Sequence, residues 1–297
     1  MNSTSLSNLL ADVVEAASHS VVRVEGRGRA VSGTVFSDKG HVVAINHTVE
    51  RDVVELGLPD GDTAPARVVG RDPSTDLALL QAKKKGLVPA PWTDLDDARV
   101  GHLVVGVYRP GRTTRAAFGV VAALGDAWRT RYGGRIDRYL EASLPLQPGF
   151  SGGVLVGESG KALGLSTSGL VRGVPLGIPA ATVKRVGEAL MTGGRVRRGY
   201  LGVGSYPVAL PATLQSSLRQ DSGLLIVSVQ ADSPASQAGL LLGDVVVGVD
   251  GRPTAEPADL LPALDEDRVG REIVLRIVRA GELRELRATV GERGPSA

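Results

Sequence analysis

Short apolar runs recur between turn residues from Ser20 to Pro179: Val21 to Val24, Val31 to Phe36, His41 to Ile45, Val53 to Leu58, Leu77 to Gln81, Leu103 to Val107, Phe118 to Leu124, Gly153 to Val156 and Ala162 to Leu165. Many are rich in Val, and Gly, Pro, Asp and Ser separate them at intervals of about ten residues, the pattern of an antiparallel barrel or sandwich. The pattern changes at Pro179. Ala180, Val183, Val186, Leu190 and Met191 then fall at helical spacing, and Gly193-Gly194 stops the run, so a helix is expected to close the first domain. A basic stretch, Arg195 to Arg198, follows. Beyond it, strands are expected at Leu224 to Val229, Val245 to Val249 and Ile273 to Val278, with short helices at Pro234 to Ala238 and Ala258 to Leu264. The expected architecture is mainly β: a domain over 1–194, a linker over 195–198 and a small α+β domain over 199–297.

Composition supports two folded units. The chain has 297 residues, of which 42% are hydrophobic and 22% charged, enough apolar material for a sizeable core. The net charge is +2 with both signs interspersed, so no nucleic acid partner is expected. The absence of cysteine excludes disulfides, thiolate metal sites and a cysteine nucleophile. Asp12 and Glu15 interrupt the apolar positions of the first 17 residues, which therefore read as neither signal peptide nor membrane span. As it stands the sequence reads as cytoplasmic; an export segment upstream of Met1 would make the protein periplasmic or membrane-associated.

Three segments carry chemistry. Ala44-Ile45-Asn46-His47 ends an apolar run in a histidine, Ser74-Thr75-Asp76-Leu77 opens one with an aspartate, and Pro148-Gly149-Phe150-Ser151-Gly152-Gly153 encloses a serine in glycines. Taken singly these are a surface histidine, a strand cap and a glycine-rich turn. Taken together, the order His, Asp, Ser along an all-β domain is that of the chymotrypsin triad. His47 would deprotonate Ser151, Asp76 would orient and stabilise the imidazole, and the Gly149 and Ser151 N–H groups would form the oxyanion hole.

These blocks resemble the signatures of the HtrA/Deg proteases. The resemblance continues through Gly177-Ile178-Pro179 and Val183-Lys184-Arg185-Val186 to Arg198-Gly199-Tyr200-Leu201-Gly202-Val203, the junction with a PDZ domain. Further PDZ-like motifs are Ser233-Pro234-Ala235, Ala238-Gly239-Leu240 and Gly243-Asp244-Val245-Val246. The resemblance implies a chymotrypsin-like double β-barrel followed by one PDZ domain. It also implies a serine endopeptidase acting on unfolded or damaged proteins, a homotrimer, and no cofactor. In this fold the base of the S1 pocket falls at Pro145, beside Leu144 and Leu146, with Leu165, Ser166 and Thr167 as a wall. No carboxylate is placed there, so small or medium aliphatic P1 residues are expected. In the PDZ domain, Tyr200, Leu201, Gly202 and Val203 would receive a peptide C-terminus, with Leu260, Leu261 and Leu264 lining the groove or serving as ordinary core. No cluster of His, Asp and Glu has metal-ligand spacing.

The chain departs from the family in several places. Phe150 stands where the family has Asn, Ala142-Ser143 where it has Thr-Asp, and the first aromatic is Phe36. A phenylalanine beside the nucleophile is expected to crowd the cleft. This supports an alternative reading as an inactive or latent protease-like scaffold that binds peptides. A regulatory protease with a single signalling substrate is a further alternative.

Overall fold

The computed structural model describes residues 3–294 apart from 27 and 146; Leu146, expected beside the S1 pocket, thus lies outside the described residues. Contacts divide the chain into two compact units, Met1–Val196 and Arg197–Ala297.

The first unit opens with helix α1 (Ser3–Ser18), where the strand-like reading of the chain predicted no element. Leu9, Leu10, Val13, Val14 and Ala17 lie at helical spacing and bury that face of α1 against Val105, Val107, Val154 and Val156. Two closed barrels follow. The first is built of β1 (Val21–Glu25), β2 (Ala30–Val35), β3 (His41–Ile45), β4 (Val53–Gly57), β5 (Thr63–Asp72) and β6 (Leu77–Ala82), in the order β1-β2-β3-β6-β5-β4. The second contains β7 (Leu103–Tyr108) and β8 (Arg115–Gly125), then, after a ribbon of β9 (Trp128–Arg129) and β10 (Arg135–Ile136), β11 (Tyr139–Ala142), β12 (Val154–Val156), β13 (Ala162–Thr167) and β14 (Leu176–Pro179). Its order is β11-β14-β13-β12-β7-β8.

Helix α2 (Ala180–Gly193) closes this unit where the sequence places it. Gly194 ends it in the left-handed region at φ +69° and donates its N–H to Leu190 O. The buried face of α2, Val183, Val186 and Leu190, shares one core with Val43, Ile45, Leu77 and Leu79 of the first barrel and Leu165 and Ile178 of the second. That shared core sets the two barrels against each other, which is what brings their loops together. Phe36, the first aromatic, packs on α2, and a Cβ at Gly187 would come within 2.7 Å of its ring.

The second unit contains β15 (Gly199–Tyr200), β16 (Val203–Ala209), α3 (Ala212–Leu218), β17 (Ser222–Val229), α4 (Pro234–Gln237), β18 (Val245–Val249) and β19 (Arg252–Pro253), followed by β20 (Glu272–Arg279), β21 (Glu282–Thr289) and β22 (Gly291–Glu292). Its main sheet runs β16-β17-β18-β20-β21, and β15 pairs with β22. The helix expected at Ala258 to Leu264 is instead a 3-10 turn, Pro257–Leu264. Pro262 inside it has no N–H to continue an α-helical ladder. Among the described residues, no helix is long and apolar enough to cross a membrane.

Candidate active site

Pairing of β3 with β6 sets Ile45 opposite Leu77. The residues just past those strand ends, His47 in a 3-10 turn (Asn46–Thr48) and Asp76, therefore meet at one rim of the first barrel. Four contacts fix them: Asn46 N–H to Asp76 O at 2.8 Å, His47 N–H to Asp76 Oδ1 at 3.0 Å, and His47 Nδ1 to Asp76 Oδ2 at 2.8 Å and Oδ1 at 3.0 Å. Asp76 adopts φ +62°, a left-handed conformation that Asp tolerates better than most residues. The preceding turn is shaped by Asp72, whose carboxylate accepts from Ser74 Oγ and Thr75 Oγ1, both at 2.7 Å. From the turn of the β9–β10 ribbon, Thr130 Oγ1 donates to Ser74 O at 2.7 Å, and Gly134 packs so closely that a Cβ there would lie 2.4 Å from the same oxygen.

Asp76 is buried, while the His47 ring is 45% exposed. The hydrogen bond that the imidazole donates to Asp76 raises its pKa above the ordinary 6.5, against burial, which lowers it. Nδ1 is thereby held as the protonated nitrogen, leaving Nε2 with the lone pair that can accept a proton. Two residues of the second barrel complete the pair. Thr167 Oγ1 donates to Asp76 Oδ2 at 3.2 Å and accepts from Gly169 N–H at 3.1 Å. A Cβ on Gly169 would lie 2.5 Å from Asp76 Oδ2 and 2.6 Å from His47 Nδ1, so only glycine fits there without displacing the pair.

Ser151 lies on the loop before β12, between Gly149 at φ +89° and Gly152 at φ +85°. Neither glycine has room for a side chain: a Cβ on Gly149 would be 2.5 Å from Pro110 Cβ, and one on Gly152 2.1 Å from Ser32 O. The loop is tied to the first barrel through Ser32 N–H to Ser151 O at 3.2 Å, Ser32 Oγ to Gly149 O at 2.9 Å, and Thr34 Oγ1 to Gly152 O at 2.9 Å. Among the described residues, the Gly149 and Ser151 N–H groups donate to no backbone acceptor. Ser151 Oγ lies 3.2 Å from Ser168 Oγ, and among the described residues no hydrogen bond joins it to His47.

The expectation for Phe150 is corrected. Its ring does not enter the cleft; it is 5% exposed and stacks on Tyr108 with centroids 3.8 Å apart and planes 12° apart. Such a pair adds about 0.5–1.5 kcal/mol beyond the burial of its area. Burial pushes the Tyr108 phenol up to about 12, slightly offset by Ser166 nearby, although the hydroxyl has no partner in hydrogen-bond geometry.

The expected S1 residues divide. Pro145 is exposed and Leu144 buried. Leu165 is not a pocket wall: it is fully buried in the core shared with α2, because the pairing of Val154 with Leu165 turns both away from the barrel interior. Ser166 is half-buried and pairs with Gly177, which a Cβ could not occupy without meeting Leu140 and Leu155 inside the second barrel. Thr167 is engaged with Asp76.

In the second unit, Tyr200 OH bonds Gln230 Oε1, Gly202 adopts φ +79°, and Val203 begins β16 opposite Val229. Leu201 O accepts from Ala235 N–H at 2.9 Å and Gly202 O from Gln230 N–H at 2.8 Å. The Leu201 side chain is core, and so is that of Leu260, with Leu264 packed against the same core; for Leu260 and Leu264 the ordinary-core alternative describes the side chain. Leu261 is half-buried. Among the described residues, no group of three His, Asp or Glu could hold a metal ion.

Two barrels with a serine, a histidine–aspartate pair and a glycine-bounded loop at their junction, followed by a small sheet domain, define a trypsin-like peptidase with an appended module. Residues 31–165 match the family described as "Trypsin-like peptidase domain" and residues 199–290 the family described as "PDZ domain". The chain is 33% identical over 268 residues to a "Probable periplasmic serine endoprotease DegP-like" of Brucella suis, covering 87% of this chain and 52% of that protein. It is 30% identical over 267 residues to a protein of the same description from Pseudomonas fluorescens, with coverage of 88% and 56%. The chain thus spans about half the length of the curated relatives it matches. Among solved structures, "HtrA-type protease AlgW with decapeptide" superposes with a TM-score of 0.78 at 26% identity, covering 97% of this chain and 99% of that one. The serine endoprotease from Yersinia pestis superposes at 0.75 with 26% identity, covering 96% and 98%. A trypsin-like peptidase domain followed by a PDZ domain is the arrangement the chain shares with these HtrA-type and DegP-like proteases.

Proposed function

We propose that the protein is a serine endopeptidase that cleaves unfolded or damaged proteins through His47, Asp76 and Ser151, and that its PDZ unit binds peptide C-termini. The observation that carries this reading is the His47 Nδ1–Asp76 pair at 2.8 Å, buttressed by Thr167, beside a serine loop whose Gly149 and Ser151 N–H groups donate to no backbone acceptor among the described residues. Ser151 Oγ attacks the peptide carbonyl as its proton passes to His47 Nε2. The Gly149 and Ser151 N–H groups take the developing oxyanion, Asp76 stabilises the imidazolium, and His47 then protonates the leaving amine. Water repeats the sequence on the acyl-enzyme. Pro145, in a stretch from Ala142 to Pro148 without Asp or Glu, favours small or medium aliphatic P1 residues. Residues 195–198 serve as the linker. The relatives' description as periplasmic supports that compartment for this protein, and family resemblance supports a homotrimer.

The bond between Ser151 Oγ and Ser168 Oγ favours a second reading, a latent protease-like scaffold whose nucleophile is held off the base. Degradation of unfolded β-casein by the wild type and by Ser151→Ala, together with fluorophosphonate labelling, separates the two. Cleavage and labelling that vanish in the variant support the peptidase. Their absence from the wild type, with and without C-terminal peptides, supports the scaffold.

A further inference from the structure

The loop that carries Ser151 is irregular and has two glycines at positive φ, a backbone with little intrinsic preference for one shape. Besides its ties to β2, the loop is restrained from outside by three consecutive residues at and just beyond the end of β7. Tyr108, fully buried, stacks on Phe150, which lies between the two proposed oxyanion donors. A Cβ on Gly153 would lie 2.3 Å from the same tyrosine ring. Arg109 N–H donates at 3.0 Å to Ser32 Oγ, which donates at 2.9 Å to Gly149 O. Pro110 closes the side of Gly149 where a Cβ would project.

The Arg109 backbone is itself anchored. Its side chain is 6% exposed, and its guanidinium donates to Val21 O at 2.8 Å, Arg112 O at 3.2 Å, Ser18 O at 3.3 Å and Thr114 Oγ1 at 2.9 Å. All four acceptors are neutral oxygens. A buried cation without a carboxylate is expensive; here Ser18 O, at the negative end of α1, offsets part of that cost. Burial lowers the Arg109 pKa accordingly. The Ser32 bond fixes the 149–150 peptide unit and Pro110 walls the Gly149 α-carbon, so the backbone on which the Gly149 N–H sits is held on two sides.

We propose that Tyr108 and Arg109 are positioning residues for the oxyanion donors, Tyr108 acting through the Phe150 ring and Arg109 through the Ser32 hydroxyl. The inference rests on the reading of Ser151 as nucleophile. Neither residue touches the reacting atoms.

The test uses the full chain, with fluorophosphonate labelling rates, kcat and KM on a chromogenic peptide with an aliphatic P1, and the pH profile. The variants are Ser151→Ala, Ser32→Ala, Phe150→Leu, Tyr108→Leu and Tyr108→Phe. Ser32→Ala and Phe150→Leu are expected to label about tenfold to a hundredfold more slowly, through kcat. KM should stay within about twofold and the acid limb of the pH profile should not move. Tyr108→Leu should behave like Phe150→Leu, whereas Tyr108→Phe, which keeps the stack and loses only an unpartnered hydroxyl, should restore the rate. Ser32→Ala removes a single oxygen atom, so it decides the matter if Tyr108→Leu does not fold. Wild-type rates in Ser32→Ala and Phe150→Leu, with labelling lost only in Ser151→Ala, overturn the positioning inference alone. A wild type that labels no faster than Ser151→Ala overturns it together with the peptidase reading.

Discussion

Thr167 Oγ1 donates to Asp76 Oδ2, the same oxygen that receives the His47 Nδ1 proton at 2.8 Å. The threonine belongs to the second barrel and the histidine–aspartate pair to the first, so this one hydroxyl links the orientation of the base to the mutual placement of the barrels. On its Oδ1 side, Asp76 is held by the His47 backbone N–H. Thr167→Val keeps the shape and leaves the carboxylate one donor short. Hydrogen bonds to charged groups are worth about 1.5–3 kcal/mol, so a lower Tm and a kcat reduced by about tenfold are expected, with Thr167→Ser close to wild type. Equal kcat for the Val and Ser variants would remove Thr167 from the site.

Gly169 gives a second, steric handle. An added Cβ would stand 2.5 Å from Asp76 Oδ2 and 2.6 Å from His47 Nδ1, distances at which one of the two must move. Gly169→Ala should therefore lower kcat by about a hundredfold through misplacement of the base, and bring the imidazole pKa back toward 6.5 as the raising hydrogen bond lengthens. Gly169 is exposed, so the fold should survive. Histidine NMR titration checks the pKa directly.

Much of this was legible in the chain. The runs at His41 to Ile45 and Leu77 to Gln81 are continuous apolar strands bounded by turn residues, and that pattern by itself places His47 and Asp76 at strand ends. The order of the triad residues then limits the chemistry. What stayed hidden depends on register and on distant contacts. β5, Thr63–Asp72, is broken by Pro65 and Gly70, and β21, Glu282–Thr289, is largely solvent-facing and charged, so neither stands out as an apolar run in the sequence. Leu165 and Thr167 alternate with Ser166 along β13, yet only the pairing with β12 and β14 tells which faces the shared core and which reaches Asp76. The inward turn of Phe150 depends on Tyr108, a residue from another strand that no local motif connects to the loop.

The pH dependence follows from the direction of the His47 shift. His47 must be neutral to accept the Ser151 proton, and its pKa is raised above 6.5 by Asp76. The acid limb of kcat/KM is therefore expected to have its midpoint above 6.5. Asp76→Asn removes the cause, so kcat should fall by the order of 10⁴ seen on losing the tautomer-fixing carboxylate, with the residual activity showing a limb shifted downward. For stability the sign is opposite to that for activity. The folded state binds the proton more tightly than the unfolded state, so the pair's contribution is full below about pH 6.5 and is lost as pH rises through the raised value. That contribution is modest because the ring is 45% exposed. Chemical denaturation of wild type and Asp76→Asn at pH 6 and pH 9 reads the difference, which should be larger at pH 6.

In the PDZ unit the expectation concerns a single backbone conformation. Gly202 sits at φ +79°, and a Cβ there would approach Ser233 Cβ to 2.3 Å. The carbonyls of Leu201 and Gly202 are turned inward onto Ala235 and Gln230, which leaves the opposite side of the loop to present N–H groups to a peptide carboxylate. Gly202→Ala strains φ and pushes against Ser233 together, so the loop must open. Affinity for a fluorescent peptide with an apolar free C-terminus is expected to fall more than about tenfold, or 1.4 kcal/mol. Amidation of the peptide should weaken binding to the wild type and make little further difference to the variant, because the group that reads the carboxylate is already lost. If the amidated peptide binds the wild type as tightly as the free acid, the 200–203 loop does not receive the C-terminus, and recognition must lie along β16 instead.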